Sequence, residues 1–189
     1  MRKLVGAVMV TLLALLASGH AWAGGQVPFA LQAQLVTRLG SFDRHFAERA
    51  GPVARILVVS RSGDAGSRAD GGAFAHALGE QHTMGGVPIA IEEAELADIP
   101  ALAQRVRAQH VALVWFSSGL ADDMPRIATA FAGVDVLTVG ASAHHAEKGA
   151  VVGFDLEEAR PKIVLNLKSA HAQTVDFKAE LLKLARIVD

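Results

Sequence analysis

Three short, unbroken runs constrain this chain most: Arg55-Ile-Leu-Val-Val-Ser60, Val111-Ala-Leu-Val-Trp-Phe116 and Val134-Asp-Val-Leu-Thr-Val139. A strand that is apolar at consecutive positions has both faces covered, which happens in parallel sheets flanked by helices. A fourth run, Val87-Pro-Ile-Ala-Ile91, is weaker, because Pro88 cannot donate to a ladder and belongs at an edge or a strand start. Helical segments separate the runs. Residues 68–78 carry Phe74 and Leu78 on one side, and residues 99–107 follow Asp98 as an N-cap with Pro100 in the first turn. Leu120, Met124, Ile127 and Phe131 recur at i, i+4, i+7 and i+11. Strand and helix in alternation imply parallel pairing through right-handed crossovers, hence a three-layer α/β/α sandwich on a mostly parallel sheet.

Both ends extend this plan. Residues 28–48 predict an opening helix with Leu35, Leu39, Phe42 and Phe46 on its buried stripe, stopped by Gly51-Pro52. Near the other end, Val152, Phe154 and Leu156 alternate with smaller or polar neighbours, and so do Ile163, Leu165 and Leu167. With Glu157-Glu158-Ala159-Arg160 between them, they read as an antiparallel hairpin with one buried face. Phe177, Leu181, Leu184 and Val188 then fall at helical spacing and predict a closing helix running to Asp189. The glycine-rich stretch 63–72 is expected to be the most flexible part of the chain.

The first residues carry an address rather than structure. Arg2 and Lys3 precede an apolar run, Leu4 to Ala17, and Ala21-Trp22-Ala23 closes it, the pattern of a secretory signal peptide spanning residues 1–23. A run of about 14 residues falls short of the roughly 20 an α-helix needs to cross a bilayer. Cleavage leaves residues 24–189 as one α/β domain in the periplasm, long enough to bury a proper core. Without cysteine, that domain relies on packing alone. The full chain has 18 basic and 19 acidic side chains, so losing Arg2 and Lys3 leaves 16 against 19. No basic cluster stands out, which argues against nucleic acid as a partner.

Ligands of an open parallel sheet sit beyond the carboxyl ends of its strands. Three loops reach that position. Ser60, Arg61, Ser62 and Asp64 follow the first strand, Ser117, Ser118 and Gly119 the next, and Ser142, His144 and His145 the third. Their hydroxyls and backbone N–H groups can hold a carboxylate or phosphate, or can simply cap helices and turn the chain. Asp122 and Asp123 oppose an anion beside Ser118. His144 and His145 lack the i, i+4 spacing of zinc helices and read as exposed loop histidines rather than metal ligands, with pH sensing open to them. His45, His76, His82, His110 and His171 are scattered singly. Trp115 and Phe116 either close the core or offer a π-face at the crevice. Nucleophile elbow, phosphate loop and dinucleotide fingerprint are all missing from the sequence, so it signals neither a catalytic site nor a cofactor.

"V-D-V-L-T-V-G" from Val134, "G-F-D-L" from Gly153, "I-V-L-N-L" from Ile163 and "L-L-K-L-A" from Leu181 together resemble the YfiR family, the DUF4154 domain. That resemblance implies a small, periplasmic, dimer-forming regulator rather than an enzyme. It further implies repression of a membrane diguanylate cyclase through its periplasmic sensor domain, relieved by an outer-membrane lipoprotein, linking envelope stress to cyclic-di-GMP and biofilm. The family's small hydroxyl residues before the last helix are replaced here by Gln173-Thr-Val-Asp-Phe-Lys-Ala179, and with no cysteine any redox control of relatives cannot operate. Docking on a partner predicts an exposed apolar patch on the opening or closing helix. The alternative is a periplasmic small-ligand binder related to one lobe of solute-binding proteins; a hydrolase using Ser117 and Ser118 is the third.

Overall fold

The computed structural model describes residues 25–189, so the expected signal peptide lies outside the described residues. The three apolar runs become β1 (Ala54–Arg61), β4 (Leu113–Phe116) and β5 (Leu137–Gly140), adjacent and parallel in the sheet interior. On the other side of β1 lies β3 (Val87–Leu96), also parallel, edged by the two-residue β2 (Thr83–Met84). β3 runs five residues further than the weak Val87–Ile91 signal suggests. Glu92, Glu93 and Glu95 are exposed across its two faces and hide the strand from an apolar scan. Beyond β5 come β6 (Val152–Glu157), β7 (Arg160–Asn166) and β8 (Arg186–Val188), so the order is β2-β3-β1-β4-β5-β6-β7-β8. The β6–β7 pair is the expected antiparallel hairpin. Glu158 and Ala159 both take positive φ in its two-residue turn, matching the twist of the flanking strands.

Alternation along the central strands fills two cores. Ile56, Val58, Leu113, Trp115, Leu137 and Val139 face one side, beneath α1 (Phe29–Phe42) and α3 (Ala65–Gly79). Trp115 stacks on Phe74 of α3 at 4.2 Å between ring centroids and meets Phe29 of α1 edge-on at 5.8 Å. Its indole N–H points to Gln32 Oε1 at 3.4 Å, and Gln32 Nε2 in turn donates to the carbonyls of Val27 and Ala141. Leu57, Val59, Val114 and Phe116 face the opposite side, covered by α4 (Ile99–Ala108) and α5 (Met124–Phe131). Asp98 caps α4 as the sequence suggests, accepting from Ala101 N–H at 2.9 Å. Leu120, Met124, Ile127 and Phe131 are all fully buried, although the first lies on a 3-10 helix, Ser118–Asp123, that precedes α5. Trp115 and Phe116 therefore close the two cores and offer no face at the crevice.

Three local expectations fail for physical reasons. The opening helix breaks at Asp43, after which α2 (Phe46–Ala50) begins, and its buried stripe runs through Val36 and Leu39, leaving Leu35 and Phe42 half-buried. Gly40 marks the true contact face: a Cβ there would lie 2.8 Å from Met84 Cγ and 2.9 Å from Gly85 N. Stretch 63–72 is mostly the first half of α3, capped by Asp64, which accepts from Ser67 N–H at 3.0 Å. Gly71 allows close approach rather than mobility, since a Cβ would fall 2.7 Å from Ser60 Oγ. The closing helix does not reach Asp189. Leu167 starts a short helix, α7 (Leu167–Ala172), instead of ending a strand, and α8 covers only Ala179–Leu184. The last residues then pair as β8 along the open edge of β7, held by Arg186, which reaches Glu147, Asp155 and Glu157.

One buried ion pair ties the two ends together. Arg49 and Asp43 are bonded with side chains 2% and 0% exposed, and Arg49 also donates to Asp135 at 2.6 Å and to the Thr174 carbonyl at 3.0 Å. Removing one partner of a buried pair leaves the other unsolvated, which costs about 3–5 kcal/mol. Asp43→Ala is expected to destabilise by about 3 kcal/mol in urea unfolding, and Asp43→Leu with Arg49→Met by less. Equal losses for the single and the double variant would refute the pair's role.

Candidate functional site

The carboxyl ends of β1, β4 and β5 form the crevice expected of a parallel sheet, and small residues let the chain fold tightly over it. At its centre is Ser67 of α3, a residue the sequence reading passed over. Its Oγ accepts from Arg61 N–H at 2.7 Å and shares a 2.5 Å hydrogen bond with Ser117 Oγ. Gly119 sits directly above: a Cβ there would lie 3.0 Å from Ser67 Cβ. Arg61 Nε donates to the Gly119 carbonyl at 2.6 Å, and its guanidinium also pairs with Asp123. Asp64, Arg61, Ser117 and Gly119 are thus brought together, with Ser60 buried beneath them. The D-x-x-S spacing from Asp64 to Ser67 was the available signal, since it is the register of an N-cap contact.

Other candidates lie apart from this cluster. Ser62 turns outward and donates to Glu95 at 3.1 Å, and that carboxylate also takes a 2.8 Å bond from Arg68 Nε. These bonds, the Arg68 one first, hold Glu95 below its ordinary pKa. Ser118 is exposed and bonded to Asp70. Asp122 pairs with Lys148 at 2.5 Å, which lowers its pKa. His144 stands at the surface, 3.5 Å from Glu147.

His145 overturns the expectation of an exposed loop histidine. It lies on α6 (Ala143–Glu147) and is completely buried, whereas His45, His76, His82, His110, His144 and His171 are all exposed. Its Nε2 is 2.9 Å from the Ser117 carbonyl, which can only accept, so Nε2 carries the proton. Nδ1, 3.0 Å from Ser142 Oγ, is then the acceptor of that hydroxyl's hydrogen bond. Burial lowers the pKa of the imidazole, opposed by the Ser117 carbonyl and reinforced by His144 and Lys148. A ring of reduced basicity, with no carboxylate behind it, is poorly placed to activate Ser142. The hollow that receives the ring is Gly140, where a Cβ would overlap His145.

The same α/β architecture, a mostly parallel sheet between helical layers, recurs in solved structures. A conserved domain protein of Vibrio cholerae O1 biovar El Tor shares it with TM-score 0.61 and 13% identity, over 86% of this chain and 60% of that one. The ABC domain of Streptococcus pneumoniae solved in complex with L-Trp gives 0.60 and 13%, over 85% and 62%. CD0873 of Clostridium difficile, a substrate binding protein with adhesive properties in its ligand-free open form, gives 0.54 and 13%, over 72% and 54%. The chain therefore spans about 60% of the length of the first two neighbours, and at this identity the likeness establishes the fold. No curated protein matches the sequence. A family model described as YfiR/HmsC-like matches residues 29–186, and the chain belongs to that family. Membership points to a periplasmic regulator. Among the described residues no helix is long and apolar enough to cross a membrane.

Gly140→Ala should force α6 away from β5 and cost about 3 kcal/mol by overpacking. Gly79→Ala, at the end of α3 with nothing within 4 Å, should be neutral or gain up to about 1 kcal/mol. Paired thermal melts check both. A silent Gly140→Ala would refute the tight seat of His145.

Proposed function

We propose that this protein is a periplasmic regulatory binding protein that docks, without chemistry of its own, on the external domain of a membrane-bound signalling protein of the diguanylate-cyclase type. The observation that carries the reading is the family match over residues 29–186, nearly the whole of the described chain. The crevice supports it, because Arg61, Ser67, Ser117 and His145 direct their polar atoms at one another. The apolar surface adds a place for docking: Leu184, 65% exposed, ends α8, and Ile187, 40% exposed, lies on β8 three residues on. A homodimer and relief by an outer-membrane lipoprotein belong to the same reading. So does a cut after Ala23 that releases residues 24–189 into the periplasm as one domain.

Likeness of fold to a domain solved with L-Trp and to a substrate binding protein favours a second reading, a small-ligand binder. Ligand-binding proteins of this type close two lobes on a ligand, and this chain spans about 60% of such a neighbour. A metabolite at 100 times its dissociation constant would add about 2.7 kcal/mol of stability, visible as a thermal shift.

The decisive experiment retains envelope proteins on the tagged mature chain and then measures binding of the purified external domain of any membrane cyclase or kinase recovered. Binding of that domain, weakened at least about tenfold by Leu184→Glu with Ile187→Lys, is the expected result; surface changes of this kind alter stability by about 0.5 kcal/mol or less. Capture of no such protein, together with a several-degree thermal shift by one metabolite, would overturn the regulator reading in favour of the ligand binder.

A further inference from the structure

We infer that His145 is an acid-sensitive latch: its protonation releases residues 142–150 and opens the crevice at the carboxyl ends of β4 and β5. The inference needs no partner and stands apart from the docking reading.

The latch is geometric first. His145 ties α6 to the ends of β4 and β5 by three contacts, with the Ser117 carbonyl at the exit of β4, the Ser142 hydroxyl at the helix N-cap, and the hollow at Gly140. Its backbone carries the next turn, with Lys148 N–H donating to the His144 carbonyl at 3.0 Å, Gly149 N–H to Ala146 at 3.1 Å and Ala150 N–H to His145 at 2.8 Å. Asn166 Nδ2 of β7 also donates to the Ala146 carbonyl at 2.9 Å, so movement of α6 loosens the return to the hairpin. If the ring leaves, the Ser117 carbonyl and the Ser67–Ser117 hydroxyl pair beside it become accessible.

Only the backbone carbonyls of Ser117 and Ser142 favour a positive charge on the ring, and burial outweighs them. From its own helix and the turn after it, His144 and Lys148 both disfavour the charge. The nearby acids are already engaged: Glu147 with Arg186, and, on the 3-10 helix, Asp122 with Lys148 and Asp123 with Arg61. The exits of β4 and β5 offer the uncharged carbonyls of Ser117 and Ser142 and the Ser142 hydroxyl. An imidazolium would keep its bond to Ser117 and turn Nδ1 into a donor towards Ser142, but with no carboxylate facing it the cost of burying the charge prevails. In the closed state the ring resists protonation, while the open state restores an ordinary imidazole with a pKa of about 6.5. Above that pH the latch is at full strength, and below it the open state takes up a proton that the closed state refuses, so falling pH favours opening.

Native-state hydrogen exchange on the mature chain tests this at pH 7.0 and 5.0, with exchange times corrected for intrinsic chemistry. Amides of residues 145–150 are expected to lose at least about tenfold of their protection at pH 5.0, the effect of one pKa unit or more, while residues 56–59 of β1 keep theirs. In His145→Gln, whose side-chain N–H can still donate to Ser117 but cannot titrate, protection should not change between the two pH values. Unchanged protection in the native chain, or an equal loss in His145→Gln, overturns the latch. Should that variant not fold, imidazole NMR of the native chain decides. A His145 titration whose midpoint coincides with the loss of protection supports the latch, and a loss with His145 still neutral refutes it.

Discussion

The buried Arg49–Asp43 pair is the constraint on which the arrangement of the chain's ends depends. It breaks the opening helix, because Asp43 must leave helical geometry to meet an arginine six residues on, with its backbone extended in a bridge to Phe177. Arg44 N–H then donates to the Asp176 carbonyl and Lys178 N–H to Phe42, both at 2.9 Å. The segment 174–178 is thereby laid across the helix corner before α8 starts. Two charges taken out of water gain little net stability, but this geometry satisfies both and penalises any other path for the C-terminal segment. Its contribution lies more in fixing one arrangement than in adding energy.

Glycines do the corresponding work at the crevice. Gly71 brings α3 against β1, Gly119 brings the 3-10 helix against Ser67, and Gly140 admits the ring of His145. Each replaces a side chain with a backbone approach, so the polar atoms at the strand ends meet one another instead of facing a cavity. Buried polar groups that satisfy each other are costly to open, because every partner must then find water or a ligand. A site of this kind resists casual occupancy.

The central sheet was legible because its strands are apolar without interruption, and periodicity needs no tertiary knowledge to detect that. The same holds for the stripe from Leu120 to Phe131 and for the hairpin about Glu158-Ala159. The misreadings share a cause: the deciding partner is set by the tertiary arrangement and not by local periodicity. Leu184 and Val188 fit a helix as well as a strand, and only the open edge of β7 selects β8. Asp43 looks like a solvated helix residue until Arg49 is placed beside it. His144 and His145 are indistinguishable side by side in sequence; what separates them is Gly140, a residue small enough to receive one ring. Of the candidate site, the loops were foreseeable from strand ends, whereas their centre at Ser67 was masked by the glycines around it, with only the cap spacing from Asp64 to mark the helix start.

These features bear on how a domain of this family could act as a regulator. Here the strand-end polar groups are matched internally, so information must enter another way. The exposed Leu184 and Ile187 follow Leu181 of α8, which packs into the same core as Leu165, and β8 pairs directly with β7. Asn166, at the end of β7, bonds Ala146 of the helix that carries His145. A partner seated at the α8–β8 corner and a change at the crevice would therefore act on one continuous piece of structure, the β7 strand and its two flanking helices. Coupling between them requires only that this piece have two arrangements that both sites bias.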